Sequence, residues 1–312
     1  MLNLLFVLGG LALLVGGGEL LIRGSVGVAA RMGLSKALIG VVLLGFGTSM
    51  PEFVATFGAA AKGADDIAFG NVLGSNIANI LMILGASALI YPIATNLREV
   101  RRDSLFVLFA SAAILAWILL GGIPTVAALG LIAVFALYMV LIFRADAGGE
   151  PDEAITPMPI GKAVLFAVVG IALLVAGAEG LIRGASAIAR GFGVSEALIG
   201  ITIVGIGTSL PEATASILAS FKRENQLAFA NIVGSNVFNG LAILGVTGAV
   251  FPLSFDTGAT GFTVGDGIVL LGATALMAVF ATTHARVARW EGAVMLAAYL
   301  AYLGWLVMRV AG

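Results

Sequence analysis

Apolar and polar positions alternate along this chain on a coarse scale: long unbroken hydrophobic stretches are separated by short charged or Gly/Pro-bearing breaks. About 20 apolar residues cross the hydrocarbon core of a bilayer as a helix. On that measure ten spanning helices are predicted, near 3–22, 36–61, 66–90, 104–121, 123–143, 161–182, 196–221, 226–250, 265–283 and 291–309. The predicted class is all-α integral membrane. Leu2 to Ile22 has no basic region before it and no small-residue cleavage site after it, so it reads as a spanning helix and not as a signal peptide. One polar, Pro-bearing linker, 144–160, divides the chain into 1–143 and 161–312 and is too short to fold as a regulatory domain.

The two parts repeat at a constant offset of 160 residues. GLSKALIG (33–40) matches GVSEALIG (193–200), GFGTSMPE (45–52) matches GIGTSLPE (205–212), and GNVLGSNIANILMILG (70–85) matches ANIVGSNVFNGLAILG (230–245). ELLIRG (19–24) recurs as EGLIRG (179–184). Five helices per part is an odd number, so the second part enters the membrane from the opposite side and the repeat is inverted. Twelve of the sixteen Lys and Arg fall in one set of alternate loops. By the positive-inside rule those loops and the 144–160 linker are cytoplasmic, and both termini are extracytoplasmic.

Each GTS[ML]PE block lies inside an apolar stretch, in predicted helices 2 and 7, so its Pro and Glu sit at membrane depth. Pro51 cannot donate to the carbonyl of Gly47, nor Pro211 to that of Gly207, and both helices are expected to break there. Irregular backbone at that depth is tolerated where it is buried in protein or lines a cavity, which makes the freed carbonyls candidate cation ligands. Thr48 and Glu52, like Thr208 and Glu212, are spaced i, i+4 and share a helical face. A Pro among small residues also makes a packing kink. An ionised carboxylate at the centre of a spanning helix, however, costs at least ~2.5 kcal/mol, and two of them, Glu52 and Glu212, are poorly explained by packing. Ser75 with Asn79, and Ser235 with Asn239, again share a face at i, i+4, where an amide oxygen can face the carboxylates. Asn76 and Asn236 point elsewhere and suit interhelical hydrogen bonding. Glu19 with Arg23 and Glu179 with Arg183 read as i, i+4 ion pairs near helix ends.

Composition narrows the chemistry. Sixty per cent of the 312 residues are hydrophobic and 11% are charged, too few to cover a water-soluble globule. The net charge of −1 and scattered basic residues leave no footprint for nucleic acid. With no Cys and one His (His284), soft-ligand sites for zinc or copper cannot be assembled, whereas oxygen donors for hard cations are plentiful. No cofactor and no obligatory protein partner is expected.

These paired motifs resemble those of the Ca²⁺/cation antiporter superfamily, and within it the prokaryotic sodium/calcium exchangers. The resemblance covers essentially the whole chain; its specific part is the pair of alpha-repeats, here 45–85 and 205–245. It implies ten helices in two inverted five-helix repeats. It also implies Glu52 and Glu212 as central acidic ligands, assisted by the hydroxyls of Thr48, Ser49, Thr208 and Ser209. Carbonyls near Gly45 and Gly205, with Ser75 and Ser235, would complete peripheral Na⁺ sites; the proline argument singles out Gly47 and Gly207 instead, and both choices stay open. Several relatives have Asp at the position of Asn239, so Asn79 and Asn239 imply two formal charges at the centre and exchange without K⁺. The implied function is electrogenic Na⁺/Ca²⁺ antiport in a cell membrane. The rivals are a Ca²⁺/H⁺ antiporter of the same superfamily, an intramembrane hydrolase using Ser49 or Ser209, which lacks a well-placed His or Lys base, and a cation channel. The hydroxyls beside each Glu favour Na⁺, since protons need no such oxygens.

Overall fold

In the computed structural model the chain is predominantly helical, and the structure describes residues 2–146, 158–192, 203, 205–254 and 262–311. The long helices are α1 (Leu2–Met32), α2 (Lys36–Thr48), α3 (Met50–Ala60), α4 (Asp65–Ile90), α5 (Leu97–Leu120), α6 (Thr125–Asp146), α7 (Ile160–Gly191), α8 (Leu210–Phe221), α9 (Asn225–Val250), α10 (Val264–Thr282) and α11 (Arg289–Ala311). Among the described residues eight helices are long and apolar enough to cross a membrane, or nine if α2 and α3, bent by 44°, form one span. Residues 196–202 and 204 of the expected seventh stretch, and 147–157 of the expected linker, lie outside the described residues.

Several helices outrun their hydrophobic stretches. α1 continues ten residues past Ile22 to Met32 because Glu19 and Arg23 pair within the helix at 2.6 Å and no proline intervenes before Gly33, whose φ is +65°. α5 starts at Leu97 and takes in Arg98, Arg101 and Arg102, its first turn capped by the Asn96 side chain accepting from the Arg98 amide. Conversely, α6 reaches Asp146 and α7 starts at Ile160, so both ends of the 144–160 segment are helical.

α4 and α9, the helices carrying the GSN blocks, are innermost: 72% and 100% of their most apolar windows are buried, against 22% for α6. α1 packs along α7 with backbones almost touching. A Cβ on Gly10 would lie 2.7 Å from the Gly177 carbonyl, one on Gly17 2.8 Å from that of Gly170, and one on Gly24 2.7 Å from that of Ala163. Because the partners descend as α1 ascends, the two helices are antiparallel. Without a hydrophobic drive between helices in lipid, such close approach supplies the attraction through dispersion.

Contacts sort the inter-helix segments into two sets. In one, β1 (Ile93–Ala94) pairs antiparallel with β4 (Arg286–Val287), the Ser35 amide donates to Asp146 at 3.1 Å, and Lys36 pairs with Glu224 at 2.9 Å. In the other, β2 (Gly122–Ile123) pairs with β3 (Leu253–Ser254), the Ser254 amide donates to Asp65 at 3.0 Å, and Arg309 pairs with Asp266 at 2.8 Å. Buried Asp266 also accepts from Tyr302 Oη at 2.8 Å and closes a capping box with Thr263, which ties α10 to α11.

The close α1–α7 contact yields a paired expectation. Gly17→Leu forces a side chain into the α7 backbone and is expected to lower stability by about 1–3 kcal/mol or more, while Gly16→Leu, with nothing within 4 Å of its Cβ position, leaves it unchanged. Thermal unfolding of the two purified variants in detergent checks this.

Candidate functional site

Both GTS[ML]PE blocks interrupt their helices, each at the serine two residues before the proline. Ser49 (φ −84°, ψ 7°) separates α2 from α3, and Ser209 (φ −87°, ψ 9°) precedes α8. Pro51 and Pro211 therefore fall in the first turn of the following helix, where a missing N–H costs no hydrogen bond. Glu52 and Glu212 follow immediately, each in a first turn and each fully buried.

The breaks bring the two motifs together reciprocally. Ser49 Oγ donates to Glu212 Oε1 at 2.8 Å, and Ser209 Oγ donates to Glu52 Oε1 at a longer 3.3 Å. The second oxygen of each carboxylate, Glu52 Oε2 and Glu212 Oε2, is buried with no hydrogen-bond partner. Both ends of the Asn79 and Asn239 amides, Ser75 Oγ and Thr208 Oγ1 are likewise buried without partners. Buried polar atoms are ordinarily bonded, and each orphan costs free energy; an unpartnered carboxylate oxygen in each of the two motifs can accept from a cation. Among the described residues no group of three or more His, Cys, Asp or Glu forms. Two carboxylates with hydroxyl and amide oxygens form a donor set suited to a hard cation.

Helical irregularity positions these groups further. Residues 40–45, 78–84 and 238–243 are π-helical, and the last two carry Asn79 and Asn239; such turns recur at functional sites. Where α2 crosses α9, a Cβ on Gly45 would lie 3.0 Å from the Gly234 and Ser235 backbone, so any larger residue would press the two helices apart. That approach lets Ser235 Oγ donate to the Gly45 carbonyl at 3.3 Å. Gly47 has a packing reason of its own, since a Cβ would strike Ile171, and Gly207 faces Ile182 in the same way. Gly205 opens a short helical turn, Gly205–Gly207. Of the oxygens expected from the sequence, the structure thus joins Ser49, Ser209, Glu52, Glu212, Ser235 and Gly45 by hydrogen bonds. It leaves Ser75, Asn79, Asn239 and Thr208 unpaired. Thr48 Oγ1 donates to the Leu44 carbonyl at 2.9 Å and contacts Asn231 Oδ1 at 3.3 Å.

Asn231 and its equivalent Asn71 were not among the expected residues. Asn71 Nδ2 donates to Thr56 Oγ1 at 2.9 Å and to the Glu52 carbonyl at 3.3 Å; Asn231 Nδ2 donates to Ser216 Oγ at 2.8 Å and to the Glu212 carbonyl at 3.4 Å. Each asparagine thus holds the backbone of the glutamate on the neighbouring helix. Their spacing contains the signal: Asn71, Ser75 and Asn79 follow one another at i, i+4, as do Asn231, Ser235 and Asn239. Asn76 Nδ2 donates to the Asn236 carbonyl at 3.4 Å, and Asn236 Nδ2 to that of Ile232 at 2.8 Å. The i, i+4 pairs Glu19–Arg23 and Glu179–Arg183 form as expected.

A family model described as "Sodium/calcium exchanger protein" matches residues 2–144 and 162–308 of this chain. CaxA of Alkalimonas amylolytica is 37% identical over 312 residues, spanning 96% of each chain. The sodium/calcium exchanger MaX1 of Methanosarcina acetivorans is 27% identical over 343 residues, spanning 96% of this chain and 97% of its own. Among solved structures, the sodium-calcium exchanger NCX_Mj, soaked with Na⁺ and Ca²⁺, aligns with a TM-score of 0.84 at 27% identity, covering 97% of this chain and 98% of that one.

The asparagine clamps are expected to be unequal, because Asn231 also receives Thr48. Asn71→Ala leaves the Thr56 and Glu52 ends unmatched and is expected to cost about 1–3 kcal/mol. Asn231→Ala is expected to cost more. The order of their melting temperatures in detergent checks this.

Proposed function

Because this chain belongs to the sodium/calcium exchanger protein family, we propose that it exchanges Na⁺ for Ca²⁺ at a site centred on Glu52 and Glu212. At the coarser level it is a multi-span membrane cation antiporter, a transporter and not an enzyme. One observation carries the finer reading: each of two fully buried carboxylates has one oxygen held by a serine of the opposite motif and one with no partner.

Ca²⁺ takes six to eight oxygens. In this reading the unpartnered carboxylate oxygens, the hydroxyls of Thr48, Ser49, Thr208 and Ser209, and the amides of Asn79 and Asn239 surround it, and its +2 charge balances the two glutamates. Na⁺ ions use the same carboxylates together with Ser75, Ser235 and the carbonyls near Gly45 and Gly205. Gly47 and Gly207 then serve packing. Shared ligands make the two loads compete, and competition with alternating access is antiport. Three Na⁺ per Ca²⁺ makes the cycle electrogenic, and Asn239 in place of a third carboxylate makes it independent of K⁺.

The reading includes ten spans in two inverted repeats, both termini extracytoplasmic and the 144–160 linker cytoplasmic. The reciprocal serine–glutamate bonds, the antiparallel α1–α7 packing and the two self-consistent sets of loops all support it. A ten-span chain puts Ser35, Lys36, β1, Asp146, Glu224 and β4 on one side and Asp65, β2, β3 and Arg309 on the other, which is how the contacts sort them.

Glu52→Gln and Glu212→Gln each remove one charge at nearly constant size. Calorimetric Ca²⁺ binding to the purified, monodisperse variants is expected to weaken tenfold or more, about 1.4 kcal/mol per decade. Asn239→Asp adds a charge and is expected to shift the balance between cations without abolishing binding. Wild-type Ca²⁺ affinity in either glutamine variant would remove Glu52 and Glu212 from the site.

A further inference from the structure

The 160-residue offset pairs Glu19 with Glu179, Arg23 with Arg183, and Lys62 with Lys222. Matching positions do not make matching contacts. Lys222, just beyond the end of α8, pairs with Glu19 of α1 at 2.6 Å, each side chain 32% exposed, and Glu19 holds Arg23 as well. Glu179 pairs with Arg183, but among the described residues no ion pair joins it to Lys62, which is exposed in the turn after α3.

The surroundings of the two glutamates differ in the same sense. Beside Glu179 a cavity of about 340 Å³ opens between α3 and α7, lined in part by Pro51, Ala55, Ile182 and Thr208. Its lining includes Thr208, the neighbour in sequence of Ser209. The equivalent residues beside Glu19 are Pro211, Ala215, Ile22 and Thr48, and all four are buried. There a Cβ on Gly18 would lie 2.6 Å from Leu218 Cδ1, so α8 sits directly against α1. The ion pair is formed where the helices are closed and missing where they are apart.

We propose that Glu19–Lys222 and Glu179–Lys62 are alternating latches that close the access route on the two sides of the membrane in turn. The proposal rests on the inverted-repeat reading above. In the present state Lys222 holds the end of α8 to α1 and shuts the Glu19 side. In the opposite state α3 closes on α7 and brings Lys62 to Glu179, while α8 leaves α1 and Lys222 lets go. A partly exposed pair biases such an equilibrium by up to about fivefold, enough to shift populations without freezing either state.

The chain has no cysteine, so Ala55→Cys and Ala215→Cys each supply a single thiol. Labelling rates with a membrane-impermeant maleimide are measured for each, first in intact and permeabilised cells and then on purified protein. Lys222→Gln is expected to speed labelling at Ala215→Cys and slow it at Ala55→Cys by about two- to fivefold. Glu19→Gln gives the same shift, Lys222→Arg restores the original rates, and Lys62→Gln slows labelling at Ala215→Cys. Unchanged rates in both Lys222→Gln and Glu19→Gln, with the protein monodisperse, overturn the latch, as does the same shift in Lys222→Arg. The underlying reading is tested separately, before any lysine is changed. Ala55→Cys should label in intact cells and Ala215→Cys only after permeabilisation; labelling of both from one side removes the inverted repeat and the latch with it. Labelling from opposite sides with no response to Lys222→Gln or Glu19→Gln removes the latch alone.

Discussion

Two carboxylates placed side by side in a low-dielectric interior repel each other and have lost the water that would stabilise them. That is the constraint on which the rest of this molecule depends. Glu52 and Glu212 are each fully buried and each half-satisfied by a serine. A fold that keeps them must supply donors for one oxygen, tolerate the other without one, and prevent the helices from relaxing to hide the charge. The breaks at Ser49 and Ser209 meet the first demand by turning each serine toward the other motif's glutamate. Asn71 and Asn231 meet the last, pinning the glutamate backbones to the innermost helices.

The glycines follow from the same demand. Side chains as short as serine can bond across helices only if the backbones approach closely. At Gly45 and Gly234 they do, which places Ser235 over the Gly45 carbonyl. The α1–α7 contact extends this economy to the periphery, where antiparallel helices meet through glycines spaced seven apart, at 10, 17 and 24 and at 170, 177 and 184. Apolar side chains on the outer helices remain exposed, as a lipid-facing surface requires.

Much of this is legible in the sequence because lipid imposes simple rules. Hydropathy locates the spanning stretches, and the 160-residue offset locates the motifs. What it misses has physical reasons. α1 and α5 outrun their apolar stretches because Glu19–Arg23 and the Asn96 cap let charged residues sit inside helices, where charge along a sequence otherwise suggests a boundary. That Ser235 reaches the Gly45 carbonyl from a distant helix is a fact of tertiary contact, with no trace in local sequence. π-Helical turns at 78–84 and 238–243 carry no periodic signature. Asn71 and Asn231, by contrast, were readable, one turn before Ser75 and Ser235 on the same face. Equally, the asymmetry between Glu19–Lys222 and Glu179–Lys62 has no trace in the sequence, since the two halves match there and differ only in conformation.

The account stands on the claim that Na⁺ and Ca²⁺ compete for one oxygen site within this chain. The most direct measurement is ⁴⁵Ca²⁺ uptake by proteoliposomes holding the purified protein, with a Na⁺ gradient, a pH gradient or neither imposed. Na⁺-loaded vesicles diluted into Na⁺-free buffer are predicted to accumulate Ca²⁺, with a pH gradient alone doing little. Accumulation driven by the pH gradient and indifferent to Na⁺ would contradict the account and assign the glutamates to proton exchange.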